Sequence, residues 1–274
     1  MPKLSHSFFA SAWLACCTRD KPRPNGVECE KLILHIHGGG FISMTSRSHQ
    51  NYTRRWAVDV GCPVVSVDYR LAPEAPYPAA LDDVWQTYMW LRENAEKELG
   101  LGIKKIVIAG DSAGGNLAIG CVVKALMEGV KPPDGLLLAY PALNLSINRF
   151  TPSFLYSLDD IILHHTFLKL CLQSYVADPS LHPDTDPFLS PIVLSPGLLS
   201  QFPPVRIIVG SKDPLHDDCW RFTESLHKAG CNVKLTVFEG FTHGALNFAL
   251  KSVMEEAERL VAQGSRFLVE LFSL

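Results

Sequence analysis

Six short runs of aliphatic and β-branched residues recur along the chain, separated by longer amphipathic stretches. They are KLILHIH (31–37), PVVSVDY (63–69), KKIVIAG (104–110), GLLLAY (135–140), PVRIIVG (204–210) and NVKLTVFEG (232–240). Runs that are apolar at almost every position suit strands buried on both faces, which is the situation inside a parallel sheet covered by helices. Between them, residues 79–99 place Leu81, Val84, Tyr88 and Leu91 on one helical face, and 113–128 and 244–262 show the same period. Strand–helix–strand alternation of this kind predicts an α/β fold: a mostly parallel sheet with right-handed crossovers and helices on both faces. The length suits a single domain over residues 1–274. One interval breaks the rhythm. Residues 142–202 carry prolines at 152, 179, 183, 187, 191 and 196 and show no convincing core strand. So long a connection reads as a helical lid or cap inserted between two strands, with 159–176 as its main helix.

Composition narrows the function classes. An apolar fraction of 47 % excludes a disordered chain, and a formal net charge of −3 lacks the basic footprint that nucleic-acid binding needs. No run of about 18 apolar residues exists, so no membrane-spanning helix is expected. The eight cysteines form no C-x-x-C pair and no zinc-type spacing with histidine. They read as small buried residues of a reducing compartment, which makes the expected location cytoplasmic. Residues 8–17, FFASAWLACC, follow a lone Lys3 without a basic leader region or a clean cleavage pattern. They are expected to be an edge strand or a covering helix rather than a secretory leader.

Three motifs carry chemistry. Gly110-Asp111-Ser112-Ala113-Gly114 follows the strand KKIVIA and opens the helix NLAIGCVVKALM. That context is the one a G-x-S-x-G nucleophile elbow requires: small flanking residues permit a tight strand–helix turn, with the Ser112 hydroxyl standing at a helix N-terminus. The second motif, His37-Gly38-Gly39-Gly40-Phe41, follows the strand KLILHI. It predicts an oxyanion loop in which the N–H groups of Gly39 and Gly40, joined by that of Ala113, face developing negative charge. His37 and Gly38 are expected to support this loop. His35, placed on the opposite strand face, reads as a satisfied core histidine.

The third motif supplies the partners of Ser112. After VRIIVG, Asp213 lies nearest the strand end and is preferred to Asp217 and Asp218, which read as caps of the following helix. After NVKLTVFEG comes Phe241-Thr242-His243-Gly244, and His243 is the histidine at a strand end beyond Asp213. The order Ser, acid, His is that of an α/β-hydrolase fold. Ser112, His243 and Asp213 would act as nucleophile, base and orienting acid, with no metal or organic cofactor required.

HGGGF, DYRLAPE (68–74), GDSAGGNLA and the order in which they occur resemble the GDXG lipolytic family, and within it the catalytic core of the animal hormone-sensitive lipases. SHQNYTRRWA, APEAPYPAALDDV, PDGLLLAYPAL and SLDDIILHH extend the resemblance over about residues 31–250. It implies Ser112, Asp213 and His243 as the triad and Gly39, Gly40 and Ala113 as oxyanion donors. Thirty-six residues precede His37, fewer than is usual in the family, and residues 142–202 are too short for the phosphorylated regulatory insert of hormone-sensitive lipase. The resemblance therefore does not carry hormone-driven control over to this chain. The implied activity is hydrolysis of neutral-lipid esters such as acylglycerols and cholesteryl esters. Ile161, Ile162, Phe167, Leu168 and Leu172 are the candidates for lining an acyl pocket. The implied partners are the lipid ester, water and a lipid-droplet surface. The alternatives are a carboxylesterase for short or xenobiotic esters and a non-catalytic ligand-binding protein on a hydrolase scaffold.

Overall fold

The computed structural model describes residues 13–15, 29–146, 150–249 and 254–274. Strands β2 (Lys31–Ile36), β3 (Val64–Val67), β4 (Lys105–Asp111), β5 (Gly135–Ala139), β6 (Val205–Gly210) and β7 (Val233–Phe238) coincide with the six apolar runs. All six pair in parallel, and β1 (Trp13–Ala15) adds an antiparallel edge beside β3. The order across the sheet is β1-β3-β2-β4-β5-β6-β7. The expected edge strand is therefore present at 13–15. The remainder of the run 8–17 lies outside the described residues.

The strand order dictates where the helices go. The chain steps from β2 to β3 in one direction and from β3 over β2 to β4 in the other. Right-handed crossovers then put α1 (Gln50–Val60) and α2 (Ala79–Leu99) on opposite faces. The steps through α3 (Ala113–Met127) and α7 (His216–Lys228) run the same way as that through α2 and share its face. α8 (Glu258–Leu271) joins α1, where the Trp56 indole donates to the Val261 carbonyl at 3.1 Å. α3 is buried almost all round, which is why its sequence reads AGGNLAIGCVV without a polar face. β2, β4, β5 and β6 are buried along nearly their whole length, as strands covered on both faces must be.

Two helix expectations need correction. The stretch 244–262 is not one helix: a 3-10 turn occupies Ala245–Phe248, residues 250–253 lie outside the described set, and α8 begins at Glu258 and runs on to Leu271. A helical period in the sequence spans the turn because its apolar residues, Ala245 and Leu246, are buried where the turn meets α1 and α8. Within 142–202, α5 covers His165–Tyr175 and not 159–176. The Asp160 carboxylate accepts the N–H groups of Ile162 and Leu163 at 2.9 and 2.7 Å, so that stretch turns before the helix starts. His164 then caps α5 by accepting the Phe167 N–H at 3.2 Å. A short α4 (Pro152–Tyr156) and α6 (Pro196–Leu199) complete the segment.

Candidate active site

Parallel strands deliver their C-terminal ends to one edge, and in this class the crevice beyond that edge is where ligands bind. Ser112 directly follows β4 with φ +52° and ψ −119°, a strained conformation for a residue with a Cβ. Its neighbours have no room for side chains. A Cβ on Gly110 would lie 2.5 Å from the Gly114 carbonyl oxygen, and a Cβ on Gly114 would lie 2.1 Å from that of Ile36. The turn is locked into the sheet, since the Ser112 N–H donates to Ala139 and its carbonyl accepts from Ala142.

Three side chains named from the sequence meet there. His243 Nε2 is 2.9 Å from Ser112 Oγ, and His243 Nδ1 is 3.0 Å from both carboxylate oxygens of Asp213. Asp213 follows β6 and is fully buried. One of its oxygens also accepts the Leu215 N–H at 2.8 Å. A carboxylate oxygen only accepts, so Nδ1 carries the proton and Nε2 is left as acceptor for the serine hydroxyl. Burial works to lower the pKa of His243, but the Asp213 carboxylate and more distant Asp160 and Asp111 outweigh it, leaving it above the ordinary histidine value. Asp217 and Asp218 lie in the first turn of α7 and not at its cap, and Asp217 accepts the Ser153 N–H at 2.9 Å.

The glycine loop sits beside the serine. The N–H of Gly38 donates to Asp111 Oδ1 at 2.9 Å. The N–H groups of Gly39, Gly40 and Ala113 make no hydrogen bond among the described residues, so three donors are open at the same edge. His37 Nδ1 lies 2.7 Å from the Gly38 carbonyl, and its ring stacks on Tyr69 with centroids 4.3 Å apart. His35 is buried between Ser66 Oγ at 2.7 Å and Tyr52 Oη at 2.9 Å, a satisfied core histidine. It is not on the opposite face from His37. Residues two apart on a strand share a face, and both rings flank His49.

Sequence reasoning passed over four groups that shape this edge. Asp111 and His49 lie under the glycine loop, Tyr140 packs edge-on against His243 at 4.8 Å, and Asp160 accepts the His243 N–H at 3.4 Å. Asp111 and His49 stand inside the quoted stretches GDSAGGNLA and SHQNYTRRWA, where a buried polar residue beside a motif was the available signal. A cavity of about 220 Å³ lies between Pro214-Leu215 and the 142–202 segment. Its apolar walls are Phe150, Phe154, Leu168, Leu172 and Leu215. Of the expected pocket residues only Leu168 and Leu172 line it. Ile161 is 85 % exposed and borders a second cavity of about 570 Å³ together with Asp160 and Thr242, Ile162 is 37 % exposed and lies beside Gly244, and Phe167 is half-buried. Cys121, Cys171, Cys219 and Cys231 are buried free thiols, and Cys29 is partly exposed. No helix among the described residues is long and apolar enough to cross a membrane.

The family profile described as alpha/beta hydrolase fold matches residues 33–247. The chain is 44 % identical to hormone-sensitive lipase of Bos taurus over 156 residues, which is 57 % of this chain but 20 % of that protein. It thus spans about a fifth of the length of that relative. It is 38 % identical to carboxylesterase NlhH of Mycobacterium tuberculosis over 221 residues, covering 80 % of this chain and 67 % of the other. Among solved structures, an esterase of Pyrobaculum calidifontis superposes with a TM-score of 0.83 at 34 % identity, covering 91 % of this chain and 79 % of that one. The parallel sheet, the Ser-then-acid-then-His order along it and the span of these matches agree, and the chain belongs to the α/β-hydrolase family, in the branch that holds the carboxylic ester hydrolases it resembles.

Proposed function

We propose that the protein hydrolyses carboxylic esters through an acyl-enzyme on Ser112. The observation that carries this is the unbroken chain from Asp213 through His243 to Ser112, at 3.0 and 2.9 Å. Neutral His243 Nε2 takes the hydroxyl proton as Ser112 Oγ attacks the ester carbonyl. The resulting oxyanion accepts from the N–H groups of Gly39, Gly40 and Ala113. His243 then protonates the leaving alcohol, and a water deprotonated by the same nitrogen releases the acid. Asp213 holds the tautomer and stabilises the imidazolium. His37 and Gly38 support the loop.

The substrate we propose is a neutral-lipid ester, an acylglycerol or cholesteryl ester, with residues 142–202 as the lid. The similarity to hormone-sensitive lipase supports this. So does the neighbourhood of the site, where Leu155, Tyr156, Ile161 and Leu170 expose apolar surface suited to a lipid-droplet face. A second reading, a carboxylesterase for short acyl chains, is supported by the similarity to carboxylesterase NlhH.

Labelling by a fluorophosphonate probe tests the reaction, because the reagent needs an activated serine. Wild type should label and Ser112→Ala should not; labelling that survives the substitution would remove Ser112 from its role. A panel of p-nitrophenyl esters from acetate to palmitate, with diacylglycerol and cholesteryl oleate alongside, separates the two substrate readings.

A further inference from the structure

One carboxylate joins the glycine loop to the nucleophile turn. Asp111, the residue before Ser112, is 3 % exposed. Its Oδ1 accepts hydrogen bonds from the Gly38 N–H and the Tyr52 hydroxyl, both at 2.9 Å. Burial alone would push its pKa up, yet His49 outweighs that and holds the carboxyl well below the usual carboxylate range. A carboxylate buried in its ionised form needs a positive partner.

His49 is that partner, and the groups around its ring favour the charged form. It closes the 3-10 turn Ser46–His49 ahead of α1 and is fully buried. Nδ1 is 2.9 Å from the Thr45 carbonyl oxygen, which only accepts, so Nδ1 bears a proton. Nε2 is 3.5 Å from Asp111 Oδ2, an ion-pair distance, and a bare lone pair aimed at a carboxylate would be repelled. Nε2 makes no hydrogen bond among the described residues, and the ion-pair distance to Asp111 favours the ring with both nitrogens protonated.

We propose that the His49 imidazolium is a positioning residue for the oxyanion loop: by neutralising Asp111 it keeps that carboxylate on the Gly38 N–H, and loss of its proton sets the upper pH limit of ester hydrolysis. The inference rests on the ester-hydrolase reading of the site. Once His49 is neutral, Asp111 is an uncompensated buried anion. It then draws in water or a proton, and Gly38 loses the acceptor that aligns Gly39 and Gly40.

Of the other groups facing Asp111, His243 is raised by it and gives the rising limb, and burial raises the Tyr140 hydroxyl well above 10. From β2, burial lowers His35 to about 3 and His37 to about 4, so both stay neutral. From α1 and from the segment after β3, burial raises the hydroxyls of Tyr52 and Tyr69 well above 10. Asp68 lies 3.9 Å from His37 Nε2 and accepts the Ser46 N–H, adding negative charge that favours the charged form of His49. Burial works against that form too, and the Asp111 and Asp68 carboxylates overcome it, so His49 titrates above the ordinary histidine value.

The test is the pH profile of kcat on p-nitrophenyl acetate for wild type and His49→Gln, with thermal melting of the same preparations. Wild type should give a bell, rising as His243 becomes neutral and falling at higher pH as His49 does. Folded His49→Gln should lose about 10-fold in kcat, less than the ~10²–10³ that removal of an oxyanion donor costs, with KM little changed and the falling limb gone. A folded variant that keeps wild-type kcat, or that keeps the falling limb at the wild-type pH, overturns the proposal. If His49→Gln does not fold, ¹⁵N-histidine NMR of wild type decides. The His49 ring, assigned through its contacts to Tyr52, should have both nitrogens protonated at pH 7 and should titrate on the falling limb. A neutral ring at pH 7 overturns it. Because NMR needs no turnover, a protein without esterase activity would refute the hydrolase reading while the state of His49 is still read.

Discussion

At Asp213 two oxygens lie 3.0 Å from one ring nitrogen, and a third contact from the Leu215 N–H pins the carboxylate in place. Asp213→Asn keeps the shape but offers an N–H to His243 Nδ1, which favours the wrong tautomer. A fall in kcat of about 10⁴ is expected. Asp217→Asn should cost far less, because Asp217 serves the Ser153 N–H and not the histidine. The ratio of the two kcat values on one small ester checks the assignment, and a damaging Asp217→Asn would reverse it. His243 must lose its proton to act, and its pKa lies above the ordinary histidine value. The rate on a small ester should therefore rise with pH through an apparent pKa above about 6.5. A rate already level at pH 5 would contradict a base of this kind. Gly39 is less simple than its motif suggests. It has φ +117°, and a Cβ there would lie 2.2 Å from the Ser43 carbonyl oxygen, so the turn itself requires glycine. Gly39→Val should lower the melting temperature and kcat together. It reads loop geometry, whereas affinity for a trifluoromethyl ketone, which forms an oxyanion in place, reads the donors.

Two element-scale contacts decide how rigidly the edge is held. α8 crosses α1 where Gly264 meets Trp56, and a Cβ at 264 would be 2.7 Å from the indole. Gly264→Val must push the helices apart and should cost about 1–3 kcal/mol, read as a lower urea midpoint, with kcat of the folded fraction unchanged. An unshifted midpoint would mean that the pair relaxes freely. α5 forms one wall of the cavity through Leu168 and Leu172. Filling it with Leu168→Trp should lower kcat/KM for p-nitrophenyl octanoate by at least 10-fold relative to acetate; equal losses on both esters would place the acyl chain elsewhere. The extents of α5 and α8 were the least legible parts of the sequence. The turn at 160–163 is built by the Asp160 side chain taking backbone N–H groups, a local hydrogen-bond competition that hydrophobic period does not register.

Across the whole molecule the six parallel strands and the tight turn at Ser112 were readable in sequence, for a definite reason. A strand covered on both faces is apolar at nearly every position, as β2, β4, β5 and β6 are, half-exposed β7 keeps an alternating pattern, and a strained turn that touches neighbouring backbone must have glycine beside it, so each leaves a local mark. The identities of Ser112, Asp213 and His243 were legible on the same ground, because each follows a strand and parallel strands end at one edge. Their meeting was not: 101 residues separate Ser112 from Asp213 and 30 separate Asp213 from His243, and only strand order brings β4, β6 and the turn after β7 together. The sharing of one face by His35 and His37, the pairing of His49 with Asp111, and the placing of Leu168 and Leu172 along a cavity also belong to the tertiary structure. The residue pattern determined the α/β architecture and the list of reactive groups, since those follow from local burial and backbone sterics. The packing of distant segments decided which buried charge found a partner and what surrounds the serine, since electrostatics and cavities depend on distances that no stretch of sequence contains.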